Sequence, residues 1–235
     1  MKKQLILLAA SFLMSTGSFA QTLKDVVDKH LTALGGPDNL KAFKSAKYTQ
    51  STIAPGQSID ATATVIFDKA TRIDMNMGGN EIVVATKGDA GWASQGGGAA
   101  QDVPVQQLKA ITESVTLPGL EIANASLKGQ PIDFKGKQTV DGKEYYALSI
   151  PLQGGTSTFY IDPATYLIVS RKGSVQAMGQ TIDAKVDYDE YKKAGMLTLP
   201  YKVQTEAIGQ SVTIRLTAFE ANPAIDEAIF DKPKQ

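Results

Sequence analysis

Apolar and polar residues alternate with a period of two over long stretches of this chain. Between residues 58 and 68, five apolar side chains fall on one face of an extended strand: Ile59, Ala61, Ala63, Val65 and Phe67. After a turn at residues 69–70 the pattern returns with Ile73, Met75 and Met77. Such alternation is typical of antiparallel strands that have one apolar face and one solvated face. The sequence therefore predicts a long antiparallel sheet whose apolar face must be covered by other elements.

The second half of the chain continues this pattern. Asp141-Gly142 is a hairpin signal between two alternating runs, and Leu148, Phe159 and Ile161 fall on apolar faces. We expect about four or five strands before residue 104 and about six after residue 131.

Three stretches have the three- and four-residue apolar spacing of helices. They cover residues 22–34, 38–44 and an insertion at 104–127. Thr22 is placed to cap the first helix, with Asp25 as its capping-box partner. The predicted fold class is mainly β (α+β), in a single domain over residues 21–235. A strongly curved antiparallel sheet forms a half-barrel, and the short helices cover its concave face.

Composition excludes several classes of function. The chain has no cysteine, which excludes disulfides and thiol catalysis. It has one histidine, His30, which argues against a metal site. The 24 basic and 24 acidic residues balance, and residues 21–235 keep 22 basic residues against 24 acidic ones, a net charge of −2. This balance argues against nucleic acid as a partner, because a nucleic-acid site needs a clustered basic surface. No catalytic constellation is visible, so we expect a protein that is not an enzyme and carries no cofactor.

The first twenty residues have the pattern of a cleavable export signal. Lys2 and Lys3 precede a short apolar run, and the segment ends in Ser18-Phe19-Ala20. The run is too short to span a membrane, and no cysteine follows the cut site for a lipid anchor. We expect a soluble, unanchored monomer in the periplasm.

Eight segments, in order along the chain, carry a family resemblance: residues 28–36, 40–45, 91–92, 140–148, 159–169, 188–191, 195–203 and 222–230. Together they resemble the LolA/LolB-like outer-membrane lipoprotein-sorting superfamily. The resemblance implies a half-barrel of about eleven strands, lidded by helices, that holds acyl chains against its concave apolar face. The family's carriers have a gating basic residue. Arg72 is a candidate counterpart here, although its local sequence does not fix the match.

The predicted ligand-binding residues are apolar positions assigned to the sheet's inner face. They are Ile59, Val65, Phe67, Ile73, Met75, Met77, Val84, Trp92, Leu148, Phe159 and Ile161. The methionines suit an adaptable wall because their side chains are flexible. For Trp92 a pocket rim and a buried core position remain open.

The leading hypothesis is a periplasmic carrier or binding protein for a lipid or a lipidated polypeptide, with acceptor proteins at the inner or outer membrane. An alternative is an envelope interaction or sensing module with a filled core and no ligand. A third hypothesis, a hydrolase using carboxylates, has the least support.

Overall fold

The computed structural model describes residues 21–114, 117–152, 155–177, 180–207 and 209–234. The predicted signal peptide lies outside these ranges, as do residues 115 and 116 of the predicted helical insertion. Within the described ranges, every helix is too short or too polar to cross a bilayer.

The described residues form one open, fully antiparallel half-barrel sheet of thirteen strands, in the order β6-β5-β4-β3-β2-β1-β13-β12-β11-β10-β9-β8-β7. The strands are β1 (Ser45–Ala54), β2 (Gln57–Ile66), β3 (Ala70–Met77), β4 (Asn80–Lys87), β5 (Ala90–Gln95), β6 (Gln101–Asp102), β7 (Asp133–Val140), β8 (Lys143–Leu152), β9 (Gly155–Ile161), β10 (Ile168–Ala177), β11 (Gln180–Ala194), β12 (Leu197–Ala207) and β13 (Gln210–Ala221). The sheet class is confirmed. The strand number exceeds the eleven implied by resemblance.

The strand β1, which sequence reasoning missed, joins the two halves of the sheet. It pairs with β2 on one side and with β13 on the other. Its inward positions include Ala46, Tyr48 and Gln50, and two of these three are small or polar. Alternation is therefore weak in β1, although the strand lies at the centre of the sheet.

In the described part of the chain, four α-helices accompany the sheet: α1 (Leu23–Ala33), α2 (Pro37–Ala42), α3 (Val105–Ser114) and α4 (Glu121–Leu127). Thr22 caps α1, and the capping box with Asp25 is formed as predicted. Apolar residues of α1, α2 and α4 share one core with the strands, and we call the sheet face in that core the inner face.

The opposite, outer face carries the C-terminal 3-10 helix Glu227–Phe230, which packs on β3 and β4. The Arg72 Nη1 donates to the Ile229 carbonyl at 3.0 Å, and Trp92 Nε1 donates to the Phe230 carbonyl at 2.9 Å. These two contacts hold the end of the chain against the outside of the half-barrel.

Candidate functional site

Five of the predicted ligand-binding residues are sealed in protein. Each is at most 1% exposed: Ile73, Val84, Leu148, Phe159 and Ile161. A side chain with no accessible surface adjoins no water-sized space, because such a space would register as exposed area. The centre of the inner face is therefore filled.

Five other predicted residues remain accessible in β2, β3 and the turn between them. Ile59, Val65 and Met75 are half-buried. Phe67 is 37% exposed and Met77 is 40% exposed. Ile59 pairs with Met77 at one end of these two strands, whereas Phe67 lies in the turn at the other end, so the accessible apolar side chains occur at both ends of β2 and β3.

Trp92 does not share a surface with the other ten. It pairs with Ala85, which in turn pairs with Arg72, so all three side chains face outward. The Arg72 guanidinium lies 5.7 Å from the indole centroid, and the ring is buried beneath the C-terminal segment. Of the two placements predicted for Trp92, burial is the one observed.

An apolar pocket of about 450 Å³ opens between α2, the β2–β3 turn and α4. Its apolar wall is formed by Leu40, Phe43, Phe67, Leu117, Leu120 and Leu127. Phe67 packs edge-on against Phe43 at 4.8 Å between ring centroids, which ties this wall to the main core. Only Phe67 belongs to both the predicted set and this pocket. The other wall residues lie on helices and links, where strand alternation gives no signal.

Three lysines surround the pocket mouth. Lys41 and Lys44 come from α2 and the link after it, and Lys128 follows α4 on the other side. Lys128 forms an ion pair with Asp68 at 3.2 Å. Within the described ranges, neither Lys41 nor Lys44 forms an ion pair. Three lysines against one aspartate leave a local charge of +2 on a protein whose total charge is zero.

A second feature of the inner face, also missed from the sequence, is a polar cluster beneath α4. The Tyr188 hydroxyl donates to Glu121 Oε1 at 2.8 Å, while Glu121 Oε2 is buried without a hydrogen-bond partner among the described residues. Burial raises the pKa of the Glu121 carboxyl; hydrogen bonds and the charge of Arg171 oppose the shift. Burial and the Glu121 charge also raise the pKa of Tyr188.

Arg171 faces inward because of an irregularity in β10. The register with β9 shifts between Ile168 and Ser170, so Ile168 and Arg171 both face inward, although they are three residues apart. The Arg171 guanidinium lies 5.9 Å from the Phe159 ring centroid, and Arg171 Nε is buried without a hydrogen-bond partner among the described residues. A β-bulge of this kind reverses the alternation locally and cannot be read from the pattern itself.

Arg72, the sequence-based candidate for a gating residue, lies on the outer face. Its Nε and Nη2 donate to the Asp74 carboxylate, with Nη2–Oδ1 at 2.7 Å, and Nη1 holds the C-terminal segment. The geometry assigns Arg72 to attachment of the chain end. The inward-facing arginine described above is Arg171.

The described residues bring together no group of three or more His, Asp or Glu side chains that could hold a metal ion. The polar cluster of Glu121, Tyr188 and Arg171 under α4 therefore contains acidic and basic side chains, but among the described residues it is not a metal-binding group.

Solved structures share this fold at low sequence identity. A LolA superfamily protein from Nitrosomonas europaea aligns with a TM-score of 0.59 at 13% identity, covering 91% of this chain and 99% of that one. A putative outer-membrane lipoprotein-sorting protein domain from Vibrio parahaemolyticus gives 0.53 at 10% identity, covering 88% and 95%. A DUF1329 family protein from Desulfovibrio piger gives 0.51 at 11% identity, covering 88% and 96%.

No protein-family model matches the chain, and no curated protein matches it. The structural likeness confirms, at the level of the fold, the resemblance to LolA-like proteins. It assigns no functional residues to this chain, because sequence identities of 10–13% are too low to match individual site residues between the structures.

Proposed function

We propose that this LolA-like half-barrel is a carrier or binding protein for a lipid or lipidated polypeptide, and that it holds an acyl chain in the pocket between α2, the β2–β3 turn and α4. The observation that carries the proposal is the 450 Å³ pocket with six large apolar side chains in its wall. This volume falls within the range of about 300–1,000 Å³ typical of small-molecule sites.

The exposed apolar surface supports the same location. The described residues include four exposed large apolar side chains, and two of them, Phe67 and Leu127, line this pocket. Burying an acyl chain gains about 0.8 kcal/mol per methylene group, so one chain can bind without a polar anchor.

A carrier also has to reach its ligand and its acceptor. The proposed setting is the periplasm, supported by the export signal expected in residues 1–20. Acceptor proteins at either membrane belong to the same proposal. The role proposed is binding without catalysis.

The first test is native mass spectrometry of protein extracted gently from its own cells. We expect an adduct with the mass of a lipid.

The second test measures uptake of a fluorescent fatty acid by Phe67→Asn and by the control Ile53→Asn, which removes an exposed apolar side chain that does not line the pocket. We expect affinity to fall about tenfold for the first variant, since that corresponds to ~1.4 kcal/mol of lost burial. A clean apo spectrum together with no uptake would refute the proposal.

A second candidate function is an envelope interaction module. It is favoured by the filled centre of the inner face, where Leu148, Phe159 and Ile161 adjoin no open space. In that case the extracted protein should carry a stoichiometric polypeptide and no lipid mass. The fluorescent fatty acid should then bind neither the parent protein nor the Phe67 variant.

A further inference from the structure

We infer that the pocket between α2 and α4 selects a single-chain amphiphile with an anionic head group, of the fatty-acid type. This inference rests on the proposed function and adds the chemical class of the ligand. It is carried by the arrangement of Lys41, Lys44 and Lys128 around an apolar wall.

The lysines converge on the mouth from two separate parts of the fold. Lys41 and Lys44 are exposed at the end of α2 and just beyond it, while Lys128 lies just beyond α4. Lysine keeps its ammonium group in water while its methylene stem covers apolar surface. An acyl chain in the pocket would therefore place its head group among three ammonium groups.

The balance of charge at the mouth favours an anion. Among the described residues of the pocket lining, Asp68 is the one acidic side chain, and its carboxylate already pairs with Lys128. Elsewhere on the protein the charges are largely interspersed, as in the ion pairs of Asp187 with Lys185 and Glu190 with Arg215. Lys41 and Lys44 form no such pair within the described ranges, so they remain available to a ligand.

The size of the pocket favours one chain. A volume of 450 Å³ lies in the lower part of the usual range of ligand sites. A phospholipid needs room for two chains and a larger head group. We therefore assign the ligand to the single-chain class.

The test is calorimetric titration of the intact protein with dodecanoate, dodecyltrimethylammonium and a short-chain phosphatidylglycerol, each below its micellar concentration. We expect the carboxylate to bind at least about tenfold more tightly than the cation, which corresponds to ~1.4 kcal/mol from several exposed charge pairs. The preference should weaken as salt is added, because the lysines are exposed to solvent.

Two charge variants isolate the lysines. The triple variant Lys41→Gln, Lys44→Gln and Lys128→Gln should lose the preference for the carboxylate. The matched control neutralises three lysines that do not line the pocket: Lys143→Gln, Lys193→Gln and Lys234→Gln. It should keep the preference, although its net charge is the same.

Asp68→Asn should increase the affinity for dodecanoate, a change that a folding defect could not produce. Asp68 has a positive φ of 59°, a conformation that asparagine adopts readily. Removing its charge should tighten dodecanoate binding by about threefold, the scale of one exposed ion pair.

Three other results of the titrations would each contradict one of these claims. Equal binding of the anionic and cationic probes would overturn the head-group inference and leave acyl-chain binding intact. Tighter binding of the phospholipid than of dodecanoate would overturn the single-chain assignment. Binding of none of the three probes would refute the proposed function itself.

Discussion

His30 should make the fold less stable as the pH falls from 7 to 5. The ring is fully buried in α1, and its Nδ1 lies 2.7 Å from the Tyr166 carbonyl oxygen. Nε2 is buried without a hydrogen-bond partner among the described residues. Burial lowers the pKa of His30 from 6.5 to about 4, and the hydrogen bond to the carbonyl opposes part of this shift. We expect a neutral ring with Nδ1–H donating to Tyr166.

The direction of the effect follows from the lowered pKa. Because the unfolded chain binds a proton near pH 6.5 and the folded protein does not, the stabilisation is complete above that pH and is lost as the pH falls towards 4. A difference of about 2.5 pKa units corresponds to ~3 kcal/mol over the whole window. Between pH 7 and pH 5 the expected loss is about 2 kcal/mol.

The assay is urea unfolding followed by the fluorescence of Trp92, at several pH values between 7 and 5. The matched variant is His30→Asn, whose side-chain nitrogen can still donate to the carbonyl but cannot become charged in this range. Carboxylates such as Glu121 are common to both proteins and cancel in the difference. The free energy of unfolding of the parent protein should fall by about 2 kcal/mol more than that of the variant.

Because His30 is the only histidine, its ring signals in NMR spectra need no residue assignment. They should not titrate between pH 7 and pH 5. Parallel pH dependence of the two proteins, or a titration midpoint near 6.5, would refute this reasoning.

Three further substitutions test other contacts. Gly35→Ala should destabilise the fold by about 2 kcal/mol or more, because φ is +126° and a Cβ would lie 2.3 Å from the Met196 carbonyl oxygen. Gly36→Ala is the control: its φ is also positive, but a Cβ there would enter open space, so urea unfolding should show a smaller loss of stability. Trp92→Phe should cost about 1–3 kcal/mol by leaving a carbonyl of the C-terminal segment without its donor, measured by circular dichroism since no tryptophan remains. Glu121→Gln should stabilise the protein at pH 7, because burial raises the pKa of this carboxyl and disfavours its charge. That gain should shrink as the pH falls towards 4.5, the ordinary pKa of the group, and a difference that does not change with pH would count against it.

Alternation, turns and helix spacing were sufficient to predict most of the secondary structure. The capping of α1 by Thr22 and the hairpin at Asp141-Gly142 were formed as expected, because both depend on neighbours in sequence. The strand β1 was missed because its inward residues include an alanine and a glutamine. Its apolar environment comes from β2 and β13, which no local pattern reveals.

The candidate site was predictable only in part for the same reason. Alternation identifies which residues share a strand face, but it does not say which part of that face the helices fill. Phe67 was found because it continues the β2 pattern, whereas Leu120 and Lys128 belong to the segments around α4 and join it only in the folded chain.

The sequence by itself determined the antiparallel sheet with its main apolar face, the helices that cover this face and the exclusion of disulfides, because these depend on local periodicity and composition. The tertiary structure decided three things: the pairing of β1 with β13, the outward position of Trp92 and the inward position of Arg171. Strand order and a β-bulge set these positions, and both depend on contacts between residues far apart in the chain.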